Sequence, residues 1–215
     1  MDRTELDLIR QLRCASFSEE ELVDIFHEYA HSYRLRFHLV QHPRFPAKLS
    51  LGVIARLFVP DLLRVIKNKR TNPFVRKRAE LEFTNRYQKI SLGEKISLMK
   101  IAPHTLLAYF TEEKDVRILK VIFNNENCTE DLVLRFILRR GDRQPVYELL
   151  ADSHWYKRPN IAFAISRDAQ APIKLLLKVI PYLRIDGLRD LYQNDSTHQI
   201  VKDHIITHMQ SRQKP

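Results

Sequence analysis

Glycine is nearly missing from this chain, with 4 in 215 residues. Sheet proteins of this length use glycine for the positive φ of their tight turns, so the scarcity argues against a β architecture. Cysteine is scarcer still: only Cys14 and Cys128, far apart in the chain. Two such thiols make neither a disulfide framework nor a metal ribbon, and they read as reduced side chains of a cytoplasmic protein. No apolar run nears the roughly 18 residues that a membrane span takes. The opening Met1-Asp2-Arg3-Thr4-Glu5 has no apolar signal core.

One more absence is local. Between Tyr29 and Ala79 the only acid is Asp61, against twelve basic residues: Arg34, Arg36, Arg44, Lys48, Arg56, Arg64, Lys67, Lys69, Arg70, Arg76, Lys77 and Arg78. That window carries +11 where the whole chain carries +10, so the remainder is close to neutral. Helical surfaces ordinarily mix the two signs. About a quarter of the chain with a single counter-charge is therefore the sharpest functional clue in the sequence.

What is present is a repeat. Residues 45–57 read FPAKLSLGVIARL, and residues 171–183 read APIKLLLKVIPYL. A shift of 126 lays Pro46, Lys48, Leu49, Leu51, Val53, Ile54 and Leu57 on Pro172, Lys174, Leu175, Leu177, Val179, Ile180 and Leu183. The identities extend back to Phe37 on Phe163. They run forward through Leu62 on Leu188, Asn68 on Asn194, Thr71 on Thr197 and Val75 on Val201. A second shift, of 43, sets Ile118, Leu132 and Ile137 on Ile161, Leu175 and Ile180. Since 126 is three times 42, one period of about 42 residues describes both, which is the size of stacked helical units.

The parts recur. A Pro, Ser or Thr opens a first helix, as at Pro46, Ser91, Thr129 and Pro172, and Ser91–Glu94 has the form of a capping box. Apolar residues follow at helical spacing, and a break comes at Pro60, Pro103, Gly141 or Pro181. A short second helix carries Leu62-Leu63 or Leu106-Leu107, and a third covers Pro73–Phe83 or Val116–Phe123. The sequence thus predicts an all-α chain: a short right-handed α-solenoid of about four three-helix units of roughly 42 residues, with helical caps. Residues 1–32 form an N-terminal cap, with Thr4 and Ser18 as N-caps and Ser18–Glu21 as another capping box. Residues 33–215 form one continuous repeat domain with units near 46–90, 91–128, 129–171 and 172–210. A helix near Ser196–Gln210 closes it with a polar face of Lys202, Asp203 and Gln210.

The paired leucines, the Asn72-Pro73 turn and the segment SLGEKISLMKIAPHTLL resemble bacterial HEAT/armadillo-like repeats, and leucine-rich repeat variants in particular. The resemblance covers roughly residues 33–205. It implies a binding scaffold and no shared catalytic residues.

Two candidate sites stand out. His27-Glu28-Tyr29-Ala30-His31 matches H-E-x-x-H, which on one helix puts two imidazoles a turn apart with Glu28 as base for a zinc-bound water. His38 or His42 would be a third ligand. Against a zinc hydrolase, the repeat lays His31 on Lys157 at a helix junction, and no glycine follows where the metzincin extension needs one. Ordinary histidines on a cap helix are the favoured reading. The second candidate is the basic window, with Arg34, Arg36, Arg56, Arg64, Lys67, Lys69, Arg70, Arg76, Lys77 and Arg78 as residues that contact an anionic partner. No aromatic comb interleaves them, since Phe74 and Phe83 are read as core residues. Trp155, with Asp152 and Tyr156 beside it, reads as a packed junction rather than a base-flipping site. Cys128 shows nothing that would activate it.

The sequence expectation is therefore a non-enzymatic interaction module that needs no cofactor, monomeric and cytoplasmic, with a protein partner held through the basic N-terminal half. The alternatives are sequence-nonspecific nucleic-acid binding by the same residues and the zinc hydrolase.

Overall fold

A computed structural model describes residues 5–14 and 16–213 of the chain; Thr4, read as an N-cap, lies outside them. The described residues form fifteen α-helices and three single 3-10 turns, without a strand. No helix among them is long and apolar enough to cross a membrane. The chain divides into two compact units, Met1–Leu98 and Met99–Pro215.

The first unit holds α1 (Glu5–Cys14), α2 (Glu19–Glu28), α3 (Tyr33–Val40), α4 (Ala47–Ile54), α5 (Val59–Lys67), α6 (Pro73–Tyr87) and most of α7 (Leu92–Lys100). Local chemistry fixes where these helices start. Ser18 Oγ accepts from Glu21 N while Glu21 accepts from Ser18 N, so the predicted capping box forms. Ser91 and Glu94 exchange the same pair of bonds at the head of α7. Asn72 Oδ1 accepts from Phe74 N, and Pro73 opens α6 where its missing N–H costs nothing. Pro60 lies in the first turn of α5 rather than at a break, for the same reason.

Burial follows helical spacing. In α5 the residues Leu62, Leu63, Val65 and Ile66 are buried, and in α6 Val75, Ala79 and Phe83 form the inward row. Each large apolar side chain so buried contributes about 1.5–3 kcal/mol. Phe74 departs from the sequence expectation: it is 60 % exposed, while Phe83 is buried. The row at i, i+4 and i+8 is taken by Val75, Ala79 and Phe83, and Phe74 lies about 100° away from it on the helix.

The second unit holds α8 (His104–Leu107), α9 (Val116–Phe123), α10 (Glu130–Leu138), α11 (Gln144–Ala151), α12 (Pro159–Ser166), α13 (Ile173–Val179), α14 (Ile185–Gln193) and α15 (Gln199–Gln213). Asp115 caps α9 and Thr129 caps α10. Gly141, at φ 91°, turns the chain between α10 and α11 in a region that other residues avoid. Polar ties hold the junctions. Asn125 donates to the carbonyls of Met99 and Ala102, and Trp155 Nε1 donates to Phe123 O. Trp155 is buried, as its reading as a packed junction residue requires. On α15, Asp203 and Gln210 are exposed as expected of a cap, but so are Ile200 and Ile206.

Helix bounds recur across the chain. α3 and α12, α5 and α14, and α6 and α15 each begin and end 126 residues apart, and α4 and α13 begin 126 apart. α9 and α12 begin and end 43 residues apart. The buried positions Leu35, Leu39, Val53, Ile54, Leu57, Leu62, Val65, Val75 and Ala79 are all buried again 126 residues on.

Candidate anion-binding site

The first unit contains two adjoining cavities that share Arg13, Phe37, His38 and Arg64 in their walls. Three segments position them. α1 ends at Arg13 and Cys14, α3 presents Arg34, Phe37 and His38 on one face with Gln41 as its C-cap, and α5 contributes Arg64 with Asn68 as its C-cap. The turn after α5 adds Arg70, whose guanidinium donates to Arg13 O at 3.0 Å. Asn68 Nδ2 donates to Gln41 Oε1, which braces α5 against α3.

The larger cavity, about 540 Å³, has mixed charge. Glu5 accepts from Ser32 Oγ, and Asp61 accepts from Tyr33 Oη and pairs with Arg64 at 3.0 Å. Burial and the Asp61 hydrogen bond push the Tyr33 phenol up to about 12, so it stays protonated and donates. The smaller cavity, about 380 Å³, holds no carboxylate: its walls carry Arg13, Arg64 and Arg70, with Leu12, Phe37 and Pro43 as the apolar part. Among the described residues, Arg13 and Arg70 have no carboxylate partner. His38 sits between the two cavities. Its own desolvation, then the positive charges of Arg13 and Arg34, hold its imidazole below the usual pKa of 6.5.

Of the basic residues picked out by sequence, the structure brings Arg34, Arg64 and Arg70 to these cavities. Arg36 does not join them: two positions from Arg34, it faces about 200° round the helix, and its guanidinium lies 5.0 Å from the centroid of the Phe26 ring. Arg56, Lys67, Lys69 and Arg78 are exposed outside the cavity walls, Arg76 is half-buried, and Lys77 pairs with Glu80 at 3.3 Å. Arg13 was not among the sequence candidates. It lies outside the basic window, and only the fold brings it beside Arg70.

The H-E-x-x-H residues do not share a helix. α2 ends at Glu28, with Tyr29 as C-cap, and His31 lies in the turn beyond. The i, i+4 placement that would set His27 and His31 on one zinc is therefore lost. No group of three or more His, Cys, Asp or Glu side chains among the described residues is placed to hold a metal ion. Cys128 is a buried free thiol, and desolvation pushes it up to about 12, which leaves it unreactive at neutral pH.

Compared with family models, with curated proteins and with solved structures, the chain matches none.

Proposed function

We propose that the chain is a non-enzymatic binding module, a short α-solenoid of HEAT/armadillo-like character, that holds an acidic protein segment in the groove between α1, α3 and α5. The recurrence of helix bounds at 126 and 43 residues supports the repeat reading, since such units bury their apolar faces by stacking on neighbours. The observation that carries the function is the smaller cavity: arginines from three different segments, and no acid, line one concave site. Arginine rather than lysine supports a carboxylate- or phosphate-bearing partner, because its planar fork bonds such groups bidentately. The apolar wall of Leu12, Phe37 and Pro43 suits a peptide whose other side chains are apolar. The protein is read as a monomer, and the buried reduced Cys128 fits a cytoplasmic setting.

A second reading, nonspecific nucleic-acid binding, draws on Lys67, Lys69 and Arg78, which extend the positive surface beyond the groove. Fluorescence anisotropy of the full chain separates the two. A labelled peptide rich in Glu and Leu should bind more tightly than a deoxythymidine oligomer of equal charge. Its affinity should vary less steeply with salt than that of a ligand neutralised along its whole length. Tighter oligomer binding with a steep salt slope overturns the protein-segment reading.

A further inference from the structure

We infer that the smaller cavity is a receptor for a phosphate monoester carried on a partner polypeptide, a phosphoserine or phosphothreonine side chain. The inference rests on the groove reading above and narrows it to one chemical group.

The argument is a charge count in a confined space. Three guanidinium groups line this cavity, from Arg13, Arg64 and Arg70. One of them is already matched, since Arg64 bonds Asp61. Arg13 and Arg70, both solvent-exposed, have no carboxylate partner among the described residues, so two positive charges are free to receive an anion. A carboxylate or a nucleic-acid phosphodiester brings a single negative charge. A phosphate monoester brings about −1.5 to −2 at pH 7 and three strong acceptor oxygens. It can meet both open guanidinium groups and still offer an oxygen to a third donor.

That third donor is at hand. His38 stands in the wall beside Arg13 and Arg64. The charged and titratable groups around it are Glu5 and Arg13 from α1, Arg34 from its own helix, Asp61 and Arg64 from α5, and Arg70 and His42 from the flanking turns. Burial, and after it the charges of Arg13 and Arg34, lower the affinity of the imidazole for a proton. A dianion seated among them reverses the local field and lets His38 take up a proton and donate to the phosphate. The site is partly prebuilt: Arg70 is held by its bond to Arg13 O and Asn68 by its bond to Gln41, so less side-chain freedom is lost at Arg70 when the anion arrives.

The internal repeat supplies a contrast within the same chain. The position 126 residues on has a cavity lined by Ser166, Arg167, Asp190, Gln193 and Asn194. In the sequence Asp190 stands for Arg64, Ala164 for His38 and Ser196 for Arg70, and the cavity there carries one arginine, Arg167, beside the acid Asp190.

The test uses the full chain and four labelled peptides or oligomers in one buffer. One peptide carries a single phosphoserine in a Gly/Ala/Leu background, the second carries Ser there, the third Glu, and the fourth probe is a deoxythymidine oligomer. The phosphoserine peptide should bind at least about tenfold more tightly than the Glu peptide, as two charge-assisted contacts against one imply. Arg13→Gln and Arg70→Gln should each remove about tenfold or more of that affinity, while Arg56→Gln, outside the cavity, leaves it unchanged. By NMR, the His38 imidazole should titrate below the usual histidine range in the free protein. Its midpoint should rise on adding the phosphoserine peptide, and should rise without peptide in Arg13→Gln. Equal binding of Glu and phosphoserine peptides overturns this inference and leaves the acidic-segment reading standing. Failure of both peptides removes both readings. Tighter binding of the oligomer, equal loss in Arg56→Gln, or a His38 midpoint unmoved by the phosphopeptide also overturns it.

Discussion

The groove of the first unit and its counterpart in the second share helix bounds and differ in charge. Residues 29–79 carry twelve basic side chains and one acid, while residues 155–205 carry eight basic and five acidic ones. At the groove itself the differences are specific: Arg34, His38, Arg64, Lys67 and Arg70 correspond to Asn160, Ala164, Asp190, Gln193 and Ser196. Over the same stretches, Leu35, Leu39, Val53, Ile54, Leu57 and Leu62 correspond to buried apolar residues. A fold held by its apolar rows tolerates any solvated charge on its open faces, so a one-sided charge pattern on one copy alone is not a by-product of the architecture. That difference makes the first unit the place to look for a ligand.

The largest test makes the first groove like the second. Arg34→Asn, Arg64→Asp and Arg70→Ser together should lower affinity for the acidic or phosphorylated peptide by at least about 100-fold, from the loss of the Arg70 contact, the loss of two neighbouring positive charges and the gain of a negative one at position 64. Thermal stability should be nearly unchanged, because all three side chains are exposed. Anisotropy and a melting curve on the same preparation check both halves of the statement. A triple variant that still binds would detach the charge difference from function.

The next test concerns two arginines that the repeat aligns but the structure uses differently. Arg139 is buried, and its guanidinium donates to the carbonyls of Thr111, Glu113 and Asp142. Its counterpart Arg13 is exposed in the groove. Arg139→Ala strands three carbonyls and should cost roughly 3 kcal/mol in chemical denaturation, whereas Arg13→Ala should stay within about 0.5 kcal/mol. Equal costs would mean that Arg13 is a structural clamp and not a ligand contact.

These two arginines also show where sequence reading ends. Helix starts were legible because they are local: Asn72-Pro73, Ser18–Glu21 and Ser91–Glu94 each cap with residues no more than three apart. The recurrence of buried apolar positions 126 residues apart was legible because apolar rows tolerate little change. The groove was legible only in part. Arg34 and His38 are one turn apart and must share a face, but nothing local joins Arg70 to Arg13, 57 residues away, and that pairing appears only in the fold. Arg36 was grouped with Arg34 by charge although helical geometry turns it onto Phe26. Net charge counts residues without knowing their directions.

A gentler effect comes from His38. Its pKa is lowered in the folded chain, chiefly by desolvation and then by Arg13 and Arg34, so the folded state takes up a proton less readily than the unfolded one. Its contribution to stability is present above pH 6.5 and is lost as pH falls below that value toward the folded-state midpoint. Denaturation midpoints between pH 7.5 and 5.5 should therefore decline on acidification. The decline should be shallower in Arg13→Gln and smaller again in His38→Gln. Ala164, at the corresponding place in the second unit, has nothing to titrate.

The smallest predicted effect asks whether the repeat itself can guide design. Gly52 lies inside α4, exposed, and a Cβ added there meets nothing within 4 Å. Its counterpart in α13 is Lys178, whose ammonium donates to Ala151 O, so a side chain at this position is compatible with the helix pair. Gly52→Ala should stabilise the chain by about 0.5–1 kcal/mol by removing backbone freedom from the unfolded state. Gly187 is the opposite case. Its Cβ would come 3.2 Å from the Phe163 ring, so the ring must give way before the same helical gain is realised. The corresponding residue in the first unit is Asp61, which faces the groove instead of an aromatic ring and pairs there with Arg64. Gly187→Ala should thus gain less than Gly52→Ala, and urea denaturation of the two variants in parallel measures the difference. If both gain equally, the Phe163 ring yields freely, and the contrast between a closed aromatic contact at 187 and an open charged wall at 61 loses its physical basis.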